Sequence, residues 1–203
     1  MSYHKTLYFS DWAIITKLSI VCTLIYLCLA NSLFGEEILR LHINGEANGV
    51  VDIRLNELKA PLHTERIRLL TKEGKYDGVT FHRVIEGFMA QTGDVKYGNV
   101  ENFQPTLAGM GGSEYPMLIS EFSDQPFLAG SIGMARSSDP NSANSQFFIM
   151  FDSAPHLNGK YTIVGEVVSG LETVKNIKKG NSAANGSVNN PDYILKAELI
   201  TTN

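Results

Sequence analysis

Residues 76–94 read YDGVTFHRVIEGFMAQTGD. They hold two β-rich runs, Val79–Ile85 and Phe88–Gln91, parted at Glu86-Gly87. β-Branched and aromatic side chains suit a pleated surface, and glycine marks a reversal of the chain. Runs of the same kind follow at Ser131–Ala135, Gln146–Phe151, Tyr161–Val168 and Tyr193–Ile200. Upstream, Ile38–Ile43 and Val50–Leu55 flank the Gly/Asn-rich stretch NGEANG at 44–49, which reads as an opening hairpin. Two helices interrupt the β pattern. Pro61 suits a first helical turn, with Leu62, Ile67, Leu69 and Leu70 as an apolar face and Gly74 as the stop. Leu171, Val174 and Ile177 recur at three-residue spacing in a helix predicted over Ser169–Lys179, with Gly180 as its C-cap. Many short strands with only two helices predict a mainly β fold whose antiparallel sheet is closed or nearly closed on itself. The Gly/Asn/Ser stretch from Gly180 to Pro191 reads as a loop before the last strand.

The chain has 203 residues, 43% of them hydrophobic and 19% charged, the balance of a globular protein with room for one domain and a tail. Its formal charge of -4, with Lys and Arg scattered, argues against a nucleic-acid footprint. Both cysteines, Cys22 and Cys28, lie in the uncharged run Leu18–Ala30 (LSIVCTLIYLCLA). Elsewhere a disulfide framework, a thiolate metal site and a catalytic cysteine are therefore excluded. A spanning helix needs about 20 apolar residues, whereas the core of a signal peptide needs about 7 to 15. Lys5 and Lys17 precede the run, and the small residues Ala30, at its end, and Ser32 mark a cleavage site after Ser32. Residues 1–32 are thus expected to be a signal peptide, with 33–203 as the folded domain. An uncleaved anchor is the alternative, because Ala13-Ile14-Ile15 could lengthen the span.

Several chemistries find no support. The five histidines form no H-E-x-x-H and no cluster with metal-ligand spacing. AGSIG at 129–133 lacks the first glycine of a nucleophile elbow, which leaves Ser131 a structural residue. LAGMGGS at 107–113 is not followed by Lys-Ser/Thr or a clear helix, so it reads as a loop rather than a phosphate cradle. DPNSAN at 139–144 lacks calcium-loop spacing and reads as a solvated turn. No metal or other cofactor is expected.

Residues 76–94, with GMAR at 133–136 and NSQFFI at 144–149, resemble the signature stretches of the cyclophilins, a family of peptidyl-prolyl cis–trans isomerases. The resemblance runs from Ile38 to the C-terminus. It implies a closed eight-stranded antiparallel β-barrel capped by two helices, with Arg83 as the catalytic residue and Gln91 hydrogen-bonding the substrate backbone. Phe88, Met89, Phe148 and Leu157 would form the apolar pocket for the proline ring. Tyr161 takes a place where many eukaryotic members have histidine and bacterial ones often tyrosine. The main chain at Arg136 would hold the residue before proline, with Ala135 and Gln146 lining the adjoining surface. His82 and His156 complete the expected substrate-binding set, although a structural hydrogen-bonding role suits His82. Three departures stand out. His156 replaces the tryptophan that contacts cyclosporin in well-known members, which implies weak binding of that drug. Met110 replaces a usual threonine, and Arg136 a common asparagine. Both are expected to alter preference N-terminal to proline.

The residue types suit the reaction. Rotating a peptide bond costs about 18–20 kcal/mol because its C–N bond has partial double-bond character. In the twisted transition state the prolyl nitrogen becomes pyramidal and can accept a hydrogen bond. A donor aimed there stabilises the transition state above either ground state, which is the requirement for catalysis. No nucleophile, proton transfer or metal is needed. The expected substrates are proline-containing unfolded or partly folded polypeptides. Together with the N-terminal run, Tyr161 suggests an exported bacterial enzyme acting in the periplasm as a monomer. It would touch membrane only through an uncleaved N-terminal segment. The competing reading is a proline-segment binding module or chaperone with incidental catalysis.

Overall fold

The opening hairpin forms where β-branched residues flank the Gly/Asn turn. Strand β1 (Glu36–Asn44) pairs antiparallel with β2 (Gly49–Leu55), Ile38 opposite Arg54 and Ile43 opposite Gly49. The computed structural model describes residues 36–202, so the apolar run and the expected boundary after Ser32 lie outside the described residues. Residues Glu37–Ile200 form one compact unit. Helix α1 (Pro61–Lys72) follows, then β3 (Arg83–Ile85), β4 (Met89–Thr92), β5 (Ser131–Met134), β6 (Phe147–Met150), β7 (Ile163–Ser169), α2 (Leu171–Asn176) and β8 (Tyr193–Thr202).

The strands form one sheet in the order β3-β4-β6-β5-β7-β2-β1-β8. The ladder is open between β3 and β8, which corrects the expectation of a closed barrel. The reason lies in the segment 78–85, whose first half meets the start of β8 only through isolated bonds and whose second half pairs with a loop. Gly78 N and Phe81 N donate to Ile194 O and Asp192 O, and an isolated bridge joins Thr80 to Tyr193. Thr80 N, however, donates to Gly98 O. From His82 onward the outer edge belongs to the loop 180–188: Val188 N donates to His82 O, Val84 N to Gly186 O, and Gly180 N to Val84 O. The strand expected over Val79–Ile85 therefore shortens to three residues.

Pro61 does open α1, and Ile67 and Leu70 of the expected face are buried, but Leu69 is only half-buried and polar residues complete the inward face. His63, Thr64, Arg66, Ile67, Leu70 and Thr71 face inward, while Leu62 is exposed. Polar residues can be buried here because their partners are supplied: Thr64 Oγ1 and Thr71 Oγ1 donate to Ala60 O and Ile67 O. The helix N-terminus has no side-chain cap of its own. Instead the Glu121 carboxylate accepts from Leu62 N and His63 N, placing negative charge at the positive end of the helix dipole. The second helix is shorter than Ser169–Lys179. Ile177 turns extended (ψ 134°), and Lys178 N donates to Asp192, so Gly180 is not its C-cap.

Alternation along the central strands sorts residues into two clusters. Ala90, Ile132, Met134, Phe147 and Ile149 join the main core with Leu41, Ile53, Ile67 and Leu70. Met89, Phe148 and Met150 join a second cluster with Phe127, Leu157 and Ile163, against which Phe88, Ala135 and Tyr161 pack.

Candidate active site

A row of residues crosses four strands on the second cluster's face. Arg83 on β3 lies opposite Gln91 on β4, Gln91 opposite Phe148 on β6, and Phe148 opposite Gly133 on β5. Glycine is required at the last place, since a Cβ at 133 would come within 2.3 Å of Phe148 Cζ and 2.8 Å of Phe127 Cε1. The two rings stack at 5.8 Å, and Tyr161 meets Phe148 edge-on at 5.8 Å.

These residues surround a cavity of about 180 Å³ lined by Arg83, Phe88, Met89, Gln91, Ala135, Arg136, Phe148, Leu157 and Tyr161. Drug-sized ligands occupy pockets of about 300–1,000 Å³, so this one suits a single small ring. Nine of the twelve residues expected in the site thus meet at one place. Gln146 lines an adjoining groove of about 470 Å³, which shares Gln91, Ala135 and Arg136 with the cavity and includes Met110. His156 is exposed on the turn Pro155–Leu157 and lies against Phe88, ring centroids 5.6 Å apart. His82 is buried and is not part of the cavity lining. It sits behind the Gly-rich loop, where a Cβ at Gly109 would lie 3.2 Å from its Nε2. The expected hydrogen-bonding role is not met, because neither ring nitrogen has a partner in hydrogen-bonding geometry. Burial pushes the His82 pKa down, while Asp94 opposes the shift, as do the nearby Thr80 backbone and Gln146 side chain.

A relay of amides fixes the polar wall. Arg83 Nη1 donates to Gln91 Oε1 (3.1 Å), Gln91 Nε2 to Gln146 Oε1 (2.9 Å), and Gln146 Nε2 to Gly111 O (2.7 Å) and Gly109 O (3.0 Å). Arginine can only donate, so this direction is consistent along the whole chain of bonds. The buried Asp94 carboxylate anchors the far end by accepting from the backbone N–H groups of Lys96, Tyr97, Gly109 and Gly111. The Gly109 and Gly111 amides of LAGMGGS are thereby engaged within the protein. Ser131 Oγ, likewise structural, accepts from Leu128 N.

Arg83 is half-buried, and desolvation pushes its pKa down, opposed by Tyr161; a guanidinium remains charged nonetheless. Its Nε and Nη2 donate to the carbonyl and side-chain oxygens of Asn185, both at 3.0 Å. Sequence reading missed Asn185, which lay in a stretch taken for a plain loop; the only signal was the Asn185-Gly186 pair, a marker of left-handed turns. Arg136 lies over the Tyr161 ring, 4.3 Å from its centroid, and donates to Ser137 O and Lys160 O. Its side chain thus walls the cavity. A larger open cavity of about 950 Å³ lies elsewhere, between Leu70 of α1, Glu73 just past its end, and Val95, Lys96 and Glu114. It holds none of the expected residues.

A small cavity walled by Phe88, Met89, Phe148 and Leu157, with the oriented Arg83 guanidinium at its edge, suits the binding of a single ring such as that of proline. The comparisons agree. The family described as "Cyclophilin type peptidyl-prolyl cis-trans isomerase/CLD" matches residues 38–199. A probable peptidyl-prolyl cis-trans isomerase of Brucella suis is 58% identical over 153 residues, covering 75% of this chain and 78% of its own. Peptidyl-prolyl cis-trans isomerase B of Bacillus subtilis is 36% identical over 137 residues, 67% of this chain and 88% of its own. A crystal structure of a Cryptosporidium parvum cyclophilin, in the presence of the dipeptide Ala-Pro, superposes with a TM-score of 0.67 at 27% identity, covering 81% of this chain and 99% of that one. The chain belongs to the cyclophilin-type peptidyl-prolyl cis–trans isomerases.

Proposed function

We propose that the cavity holds the ring of a substrate proline and that Arg83 donates to the prolyl nitrogen as the X–Pro bond twists. The observation that carries this reading is the row Arg83–Gln91–Phe148–Gly133, with its donor at one end and its apolar ring site at the other. Phe148, Met89, Phe88 and Leu157 would exclude water from the ring and lower the dielectric around the developing charge. Nitrogen in the planar amide is a poor acceptor, so the Arg83 bond strengthens only as resonance is lost. Such a charge-assisted bond contributes about 1.5–3 kcal/mol, or roughly 10- to 150-fold in rate. Positioning of the peptide by Gln91 and the main chain near Arg136 supplies more. The groove beside Met110 would receive residues on the N-terminal side of proline.

We infer further that the enzyme serves exported proteins in the periplasm. The support is the charge-free run Leu18–Ala30, which lies behind Lys17, ends on the small Ala30 and is followed by Ser32, a length suited to a signal core. Uncatalysed proline isomerisation takes about 10–100 s and can limit folding, which gives such an enzyme its use. With His156 in place of tryptophan, low-nanomolar cyclosporin should leave activity intact. Two experiments test these readings. The full chain should accelerate the slow phase in refolding of a protein limited by a native cis-proline, and no acceleration would favour the binding-module alternative. N-terminal sequencing of the cell-fractionated protein should find a start near residue 33 in the periplasm; an intact N-terminus in the cytosol would refute export.

A further inference from the structure

The loop 180–188 occupies the edge of β3 that a closed barrel would pair with β8, and it carries Asn185 to Arg83. The flanking chain is stitched down on both sides: Gly180 N donates to Val84 O, Val84 N to Gly186 O, and Val188 N to His82 O, at 2.8–3.1 Å. Gly186 is needed for that approach, since a Cβ there would come within 2.5 Å of Ile85 Cγ1. Asn185 itself adopts the left-handed conformation, φ 53° and ψ 34°, in which a side-chain-bearing residue is uncommon and asparagine is best tolerated. Non-glycine residues held in such conformations cluster at functional sites, where the surroundings fix them. Here both oxygens of one residue face one guanidinium: the carbonyl accepts from Arg83 Nε and Oδ1 from Nη2.

We propose that Asn185 is a positioning residue for catalysis, which orients the Arg83 guanidinium toward the bound proline. Arginine has five N–H donors. Asn185 takes two, and Gln91 Oε1 takes one from Nη1. One N–H remains on each terminal nitrogen; the one on Nη1 has only the weak acceptor Met89 Sδ nearby, at 3.9 Å. The clamp therefore commits three donors to the protein and leaves the remaining two at the end of the guanidinium for the substrate. A donor held in place before the substrate arrives needs no reorganisation at the transition state. The side chain of Asn185 is not what holds its own turn together. That is done by Ala184 N and Gly186 N donating to Asn181 O, by Ser187 N donating to Ala184 O, and by Asn181 Oδ1 accepting from Ala183 N.

The inference rests on the reading of Arg83 as the catalytic donor, and one set of variants separates the two. Asn185→Gly tolerates the left-handed backbone and keeps the carbonyl bond while deleting Oδ1; Asn185→Asp keeps an acceptor. With the full chain and a short X–Pro peptide, Asn185→Gly is expected to lower kcat/KM about 10-fold. Peptide affinity, read by NMR titration, should be unchanged, and Asn185→Asp should recover most of the rate. In an Arg83→Ala background, Asn185→Gly should have no further effect. A wild-type rate for folded Asn185→Gly, or an equal fold-loss with and without Arg83, overturns the positioning role while leaving the Arg83 reading in place. A wild-type rate for Arg83→Ala overturns both.

Discussion

The two faces of strands β4, β6 and β5 come from one alternating run of residues, yet they differ in how completely they are closed. Phe147 and Ile149 point into the main core and are 1% and 0% exposed; Phe147 meets Tyr76 edge-on at 5.5 Å. Phe148, between them, is 6% exposed, and its ring lines the small cavity. The inner face is filled by aliphatic and aromatic volume. On the outer face Gly133 withholds volume and the Arg83–Gln91–Gln146 relay takes up one rim. Function occupies the face on which packing stops short.

The largest test of that division is to truncate each neighbour. Phe147→Ala should cost about 3–5 kcal/mol of stability in chemical denaturation. Phe148→Ala should cost less stability but reduce X–Pro turnover far more. Equal stability losses with equal turnover would erase the distinction between the faces. Next in size is Gly133→Ala, which forces the Phe148 and Phe127 rings to move and should cost about 1–3 kcal/mol. Peptide affinity should fall with it, and a variant with wild-type affinity would mean the ring position is not critical. The smallest effect is on acid stability. Burial holds the pKa values of His63 and His82 below the ordinary value, although the Glu121 bond opposes it at His63. In the unfolded chain these histidines titrate near pH 6.5 and bind protons that the folded state refuses. Their contribution is therefore fully present above that pH and is lost progressively as pH falls below it toward their lowered folded-state values. Urea midpoints at pH 7.5 and 5.5 should drop for the wild type and drop less for His82→Gln; an equal drop would clear His82 of the effect.

Much of this was legible in the sequence because it was local. The hairpin around residues 44–49, the start of α1 at Pro61 and the strands on either side of Gly87 follow from turn chemistry and short-range pattern. Arg83, Gln91 and Phe148 were legible only as parts of long motifs, since each alone reads as an ordinary strand residue. What escaped depended on distant partners. Ile67 and Leu70 of α1 were read correctly, but the rest of its inward face was hidden because His63, Thr64 and Thr71 are polar and buried with specific hydrogen bonds. Alternation could not assign the faces of β6, whose four residues are all buried. The opening beside β3 and the role of Asn185 arise from a loop some 100 residues further along the chain, joined to Arg83 through bonds that no local pattern encodes.

The central claim is that Arg83 supplies the donor that lowers the barrier to rotation. It is tested most directly by comparing kcat/KM of the full chain and its Arg83→Ala variant on a short X–Pro peptide, with folding checked by circular dichroism. The account predicts a folded variant whose rate falls at least 10-fold, while the peptide still binds. A folded Arg83→Ala protein that turns over as fast as the wild type would contradict it.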